Sequence, residues 1–313
     1  MKTHSSHGVP GSLLERLASL KLIVVTGKGG TGKTVISAVL GRLLAGLGLT
    51  VLAMETDPRE NLHHLLDIPP SGGEIAAAGG GLFLQNLQPL RVLDELVGER
   101  LKIGVLARKV LASPVYRHFA EGAPGLKETG VLGRALQLVR GRGPRALRKP
   151  DLVILDAPAT GHGVSLLHAP ALVADVVSSG PVGHMASEIA SFVADRSATG
   201  VVTVTLAEEM PVRESLELVA GLAERLARRP EAMVVNGLYP PVTGEPDRQD
   251  DPAVALWHSR RKINESQLDR IREGWSGPLI ELPLLPIDRG PELAAAVGRR
   301  LGAQLEAVPA EGA

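Results

Sequence analysis

Lys21–Thr34, KLIVVTGKGGTGKT, decides how this chain is read. Leu22, Ile23, Val24 and Val25 make a short apolar, β-branched run with the composition of a buried strand. The run breaks at Gly27, crosses a glycine-rich loop and enters a helical pattern at Thr34. Gly27, Gly32, Lys33 and Thr34 satisfy G-x-x-x-x-G-K-[ST], the phosphate-cradling loop. The residue types follow from the chemistry. Glycines permit positive φ and close backbone approach, so successive N–H groups turn inward on phosphate oxygens. The helix after Thr34 aims its positive end at the same anion. Lys33 is placed to pair with β- and γ-phosphates and the Thr34 hydroxyl to reach Mg²⁺. With Gly29, Gly30 and Thr31 completing the loop, residues 27–34 are the candidate nucleotide site.

Outward from the loop, Val35, Val39, Leu43 and Leu47 fall on one helical face, and Gly46 and Gly48 end the helix. Thr50–Met54 is a second apolar run, closed by Glu55-Thr56-Asp57-Pro58. Strand, helix, strand in this order predicts an α/β fold: a mostly parallel sheet covered by helices on both faces. Leu13, Leu14, Leu17 and Leu20 predict a short helix before the first strand, and residues 1–11 a flexible arm. Gly72–Gly81 reads as a loose surface loop. Further strands are expected at Leu82–Gln85, Asp151–Leu155, Val201–Leu206, Met233–Asn236 and Pro278–Leu282. Helices are expected between them and at Pro291–Gln304, with a frayed tail over 307–313. Residues 12–306 thus form a single domain, with a helical insertion at about 84–148.

Two carboxylates stand where ligands gather in such folds, at the carboxyl ends of strands. Asp156 ends the run Leu152-Val153-Ile154-Leu155, the arrangement in which a carboxylate helps hold Mg²⁺, often through water. Asp57 follows the second strand, where a carboxylate can orient an attacking water. Ala157–Gly163, APATGHG, is small and flexible enough to switch with the γ-phosphate.

These segments carry a resemblance. GKGGTGKT, with Lys28 directly after its first glycine, resembles the deviant phosphate loop of the ArsA/MinD/ParA group of ATPases. ETDPRENL resembles the first switch of ArsA-type ATPases, DAPATGHG their second, and VVTVTLAEEMPVRESLEL the strand and helix that follow. MVVN at 233–236 looks like the adenine-contacting strand end, with Asn236 as base reader, and PLLPI at 283–287 like a later loop near the base. The order holds from about Lys21 to Leu293, so the chain resembles a bacterial, single-half member of the ArsA/tail-anchored-protein-targeting ATPase family. The resemblance implies a P-loop NTPase fold and a Mg²⁺-dependent ATPase that closes as a dimer around ATP. In that picture Asp57 activates water, and Lys28 reaches the partner subunit's phosphates. Lys33 and Thr34 hold phosphate and Mg²⁺, and Asp156 supports the metal. It implies a homodimer or pairing with a related ATPase half, and coupling to a membrane-protein client or transport partner. Two departures bear on this. Arg59-Glu60 replaces the family's usual Ala-His, and the chain has no cysteine, so neither a CxxC zinc clasp nor thiolate binding of As(III) or Sb(III) can occur.

Composition sets the remaining bounds. The 313 residues suffice for a large core, and the apolar fraction of 44% fits an ordinary globular chain. Aromatics are only 2%, so that core is built from Leu, Val, Ala and Ile. Basic and acidic residues balance at 34 each, which gives no signal for nucleic acid or anionic membrane. The polar N-terminus lacks the apolar core of a signal peptide, which predicts a cytoplasmic protein. The basic run Arg134, Arg140, Arg142, Arg145, Arg148 and Lys149 reads as a solvated surface, and His63-His64 as surface or packing residues. His162 lies in the second switch, where a hydrogen bond within the loop is its simplest role. The insertion contains no Met, which weakens the alternative of a targeting chaperone with an adaptable apolar groove. The other alternative is a ParA/MinD-like positioning ATPase on DNA or membrane. It wants a bulky amphipathic helix, which Pro291–Gln304 does not supply.

Overall fold

The computed structural model describes residues 11–101, 104–142, 149–158, 163–177, 179–241 and 251–310. The predicted βαβ unit forms as β1 (Leu22–Thr26), α2 (Lys33–Gly46) and β2 (Val51–Glu55), preceded by α1 (Leu13–Ser19). Every residue of β1 and β2 is buried, as an apolar run with no period-two alternation requires when a strand is covered on both faces. The remaining strands are β3 (Ala76–Gly79), β4 (Leu82–Asn86), β5 (Leu152–Asp156), β6 (Thr199–Leu206), β7 (Ala232–Leu238) and β8 (Leu279–Pro283). They form one sheet in the order β3-β4-β2-β5-β1-β6-β7-β8, parallel except for the β3–β4 pair.

Helices cover both faces, as expected. On one face α1, α2, α3 (Asn61–Leu66) and α12 (Pro291–Ala307) bury Leu17, Ile36, Leu40, Leu62 and Leu301 against Ile23, Val25 and Ile154. On the other, Leu132 of α7 (Leu126–Val139), Leu167 of α8 (Gly163–Val176), Ile189 of α9 (Gly180–Ala194) and Leu222 of α10 (Glu209–Leu226) pack on Leu22, Val24, Leu52 and Leu155. The alternation of β1 side chains between the two clusters is the strand period of two made visible. Each Leu or Ile so buried contributes roughly 1.5–3 kcal/mol. A third cluster seats α11 (Pro252–Gly274) through Leu268, Ile271 and Trp275 on Met233 and Val235 of β7.

Several local expectations are corrected. The 72–81 segment carries β3, an antiparallel edge strand on β4, where a loose loop was expected. Its Ala-Ala-Ala-Gly sequence has no alternation to announce it. The buried stripe of α2 is Ile36, Val39, Leu40 and Leu44, while Leu47 is exposed. The helix is pressed by the sheet on one side and by α12 on the other, so its apolar surface is broader than one stripe. β4 extends to Asn86, and the helices between β4 and β5 begin at Pro89. They are α4 (Pro89–Leu101), α5 (Gly104–Ala112), α6 (Pro114–Gly122) and α7, and residues 143–148 lie outside the described residues. Residues 307–310 are held rather than frayed: Pro309 pairs with Ser12, and Leu13 N–H donates to the Val308 carbonyl at 2.9 Å. Residues 1–10 and 311–313 lie outside the described set. Arg134, placed on a solvated surface by its sequence context, is buried and paired with Glu95. Arg140 pairs with Glu188, while Arg145 and Arg148 fall outside the described residues. Among the described residues, no helix is long and apolar enough to cross a membrane.

Candidate functional site

Val25 of β1 and Glu55 of β2 both stand in register with Asp156 of β5. The carboxyl ends of these three neighbouring strands therefore form one rim. The loop after β1, the segment after β2 and Asp156 meet there. A cavity of about 480 Å³ opens between them, lined by Gly30, Gly32, Lys33, Thr34, Asp57 and Asp156. Arg289, just before α12, and Leu293 in its first turn also line it.

The loop can take this shape only with glycine at key points. Gly27 has φ +145°, and a Cβ there would stand 2.0 Å from the Val204 carbonyl oxygen on β6. Gly32 has φ +95°, and its Cβ would stand 2.3 Å from Asn236 Nδ2. Lys33 opens α2 and is buried. Burial pulls its ammonium below the usual lysine range, with Asp156 pulling the other way. Its Nζ donates to the Lys28 carbonyl at 2.9 Å, which also accepts the Thr31 hydroxyl at 2.9 Å. Asp156 accepts the Thr34 hydroxyl at 2.7 Å and the Ser37 hydroxyl at 3.1 Å. Burial raises its pKa to about 6 against the opposing pull of those two hydroxyls and Lys33.

The segment after β2, which resembles a first switch, departs from the family's sequence in an interpretable way. Asp57 is exposed to the cavity, its Oδ1 accepting the Arg59 N–H at 2.9 Å and its carbonyl the Asn86 amide at 2.7 Å. Arg59 also lines the cavity, whereas Glu60 turns away and accepts the Ser71 and Gly72 N–H groups at 2.8 and 3.2 Å. Glu60 does this with φ +50°, a left-handed conformation that costs a non-glycine residue about 1 kcal/mol or more. The Arg-Glu pair therefore splits its work between the cavity and the following loop. Behind it, His63 is fully buried, 3.7 Å from Glu55 and 3.5 Å from Glu60. Burial lowers the His63 pKa and raises that of Glu55 to about 7. Of the surface or packing roles expected for His63-His64, the buried His63 takes packing and the exposed His64 the surface.

The sequence-predicted residues thus divide. Gly30, Gly32, Lys33, Thr34, Asp57 and Asp156 share the cavity. Gly29 is exposed on the outer turn of the loop. Lys28 lies outside the cavity lining, where its ammonium meets Glu214. Asn236 sits behind the loop and donates Nδ2 to the Thr31 carbonyl at 3.0 Å. His162 lies outside the described residues. Three participants escaped sequence reading. Ser37 was visible only as a hydroxyl one turn after Thr34 on an apolar helix. Glu55 looked like part of a strand end. Arg289, which donates to Asn61 Oδ1 at 2.9 Å across the cavity mouth, gave no local signal.

The donor set fits a nucleotide polyphosphate with Mg²⁺. Left-handed glycines open toward the cavity, a helix begins at Lys33 with its N-terminus on the cavity, and a buried ammonium lies beside them. Thr34 and Asp156 offer the hard oxygen ligands that Mg²⁺ prefers.

Comparison with known proteins agrees with this geometry. The sequence profile of the anion-transporting ATPase family matches residues 20–189. ATPase BagA of Mycobacterium tuberculosis is 32% identical over 227 residues, which span 71% of this chain and 66% of that protein. An arsenical pump-driving ATPase of Escherichia coli is 30% identical over 221 residues, 69% of this chain and 34% of that one. ATPase GET3A of Arabidopsis thaliana is 29% identical over 154 residues, 49% of this chain and 39% of that one. The matches thus take in two thirds or less of each relative's own length. From the loop, the strand-end carboxylates and the sequence profile together, the chain belongs to the anion-transporting ATPase family.

Proposed function

We propose that this protein is a Mg²⁺-dependent ATPase that works as a nucleotide-controlled dimeric switch and passes the energy of hydrolysis to a membrane-protein client or transport partner. The observation that carries the reading is the single cavity shared by Lys33, Thr34, Asp57 and Asp156 at the carboxyl rim of the parallel sheet. Loop residues 27–34 would hold the phosphates, Lys33 pairing with the β- and γ-groups. Thr34 and Asp156 would hold Mg²⁺, which neutralises charge on the phosphate oxygens. Asp57, exposed to the cavity and fixed through its own backbone by Asn86, orients the attacking water. Lys28 acts across the interface between two copies. The ATPase names of the relatives support the activity, and the arsenical pump-driving relative supports a transport partner.

The helices between β4 and β5 support this reading over a client groove. Leu93 and Val97 of α4 are buried with Leu126 of α7, Val173 of α8 and Ala186 of α9, so these apolar faces serve as core. Residues 12–306 would act as one ATPase domain in the cytoplasm, with the insertion as its variable part.

The test is ATP turnover by the full chain and by a Lys33→Ala variant of equal thermal stability. Loss of this phosphate clamp should lower the rate by about 10²- to 10³-fold, and EDTA should abolish turnover in the unaltered protein. An unchanged rate in the variant would refute the assignment.

A further inference from the structure

Lys28, assigned above to a partner subunit's phosphates, is engaged inside its own chain. Its Nζ donates to Glu214 Oε1 at 2.5 Å, across 186 residues of sequence. Glu214 stands in the second turn of α10, and both side chains are 31% exposed. The pair is therefore partly screened, a bond that a competing anion can break rather than a buried lock. The charges around Glu214 are engaged elsewhere. Arg213 faces Glu217 at 3.5 Å, and Arg260 faces Glu208 at 3.9 Å. Among the described residues, Lys28 is the one cation within ion-pair distance of Glu214.

The backbone of Lys28 is tied to the phosphate site as well. Its carbonyl takes one hydrogen bond from Lys33 Nζ and one from the Thr31 hydroxyl. Lys33 can serve either that carbonyl or a phosphate, so the lysine that senses nucleotide also restrains the lysine meant to leave the subunit. Among the described residues, the apolar packing of α10 does not depend on the Lys28–Glu214 bond. Neither side chain belongs to an apolar cluster, and α10 is seated by Val212, Leu218 and Leu222.

We propose that Glu214 is a positioning residue that parks Lys28 in cis, so that pairing of two ATP-loaded copies must first break the Lys28–Glu214 bond. The proposal rests on the dimeric reading above and adds a restraint to it. Phosphate drawing Lys33 away removes one of the two donors on the Lys28 carbonyl. Lys28 then exchanges a carboxylate of its own chain for a phosphate held by the second copy. A lone subunit keeps its lysine satisfied, which disfavours closure without nucleotide. A partly exposed pair shifts an equilibrium by roughly 1.5- to 5-fold, and a symmetric dimer breaks it twice, so the expected shift is roughly 2- to 25-fold.

The experiment is sedimentation of the full chain with Mg²⁺ and AMP-PNP, comparing wild type, E214Q, E214D, K28A and the K28A/E214Q double variant. E214Q should dimerise at roughly 2- to 25-fold lower protein concentration than wild type, with E214D closer to wild type because it keeps the charge. In the K28A background, E214Q should change nothing. A purely structural role for Glu214 would weaken α10 and hence the dimer, the opposite sign. An unchanged or weaker E214Q dimer overturns the proposal, as does an equal gain in the K28A background. A wild type that stays monomeric with AMP-PNP overturns the dimeric reading itself. A wild type that dimerises without any E214Q shift overturns only the role of Glu214.

Discussion

Replacing Asn236 with Ala separates two roles that the same side chain could play. The sequence resemblance casts Asn236 as the reader of the adenine base, whereas its amide donates to the Thr31 carbonyl and packs under Gly32. If holding the loop is what Asn236 does, the variant loses one neutral hydrogen bond on a phosphate-binding segment, worth about 0.5–1.5 kcal/mol. Because 1.4 kcal/mol is tenfold in an equilibrium constant, binding should weaken about 2- to 13-fold. The loss should be the same for any ligand that uses the loop, whatever base it carries. Calorimetric titration with MgATP, MgGTP and Mg-tripolyphosphate makes the comparison. Equal weakening for all three is the expected result. An Asn236→Ala protein that loses ATP affinity but binds tripolyphosphate as before would refute loop-holding and restore base reading.

Two further outcomes concern the helices between β4 and β5. The Tyr116 hydroxyl on α6 donates to Asp94 on α4 at 2.7 Å, and burial together with Asp94 holds the phenol well above its usual pKa. Tyr116→Phe should therefore destabilise by about 1.5–3 kcal/mol in urea unfolding, and a change near zero would show the bond to be unimportant. Glu188 on α9 accepts from Arg100 and Arg140, which hold its carboxyl below the ordinary value near 4.5. Its contribution is fully present above that ordinary value and is lost as pH falls through the lowered one. The three side chains are 30–40% exposed, so solvent screening keeps the effect to at most about 1 kcal/mol. Glu188→Gln should flatten the acid side of the stability profile below pH 4.5 and leave the neutral side nearly parallel, and an unaltered acid limb would count against the pairing.

What could be read from sequence was local. Fourteen residues from Lys21 to Thr34 contain a strand, a loop and the start of a helix, so the candidate phosphate site announces itself within one window. Asp57 and Asp156 were legible for the same reason, each following an apolar run that could only be a buried strand. The misses are segments without a period or contacts across long separations. β3 is four residues of Ala and Gly, and α3 is six residues long, too short for a helical stripe. Arg134 lay in a run of basic residues, and only its partner Glu95, 39 residues earlier, explains its burial. Asn236 reaches Thr31 across 205 residues and Glu214 reaches Lys28 across 186, distances at which no spacing rule operates.

The sheet order gives these long contacts a common sense. β1 lies between β5 and β6, so the loop that follows it sits on a seam. On one flank, β5 and β2 deliver Asp156 and Asp57, the groups to which the proposed function gives the chemistry. On the other, β6 leads into α10 with Glu214, and β7 carries Asn236, whose amide donates to the Thr31 carbonyl; these are the two contacts proposed to restrain the loop. Gly27 shows how closely the second flank is fitted, since a single Cβ would collide with the β6 carbonyl of Val204. Substitutions on the first flank should therefore change turnover once ATP is bound, while those on the second should change how readily the loop and Lys28 become available. The Lys33→Ala, Asn236→Ala and E214Q proteins sample the loop and its restraining flank. An E214Q protein with altered turnover per closed dimer, rather than altered closure, would show that the two flanks are not separable in this way.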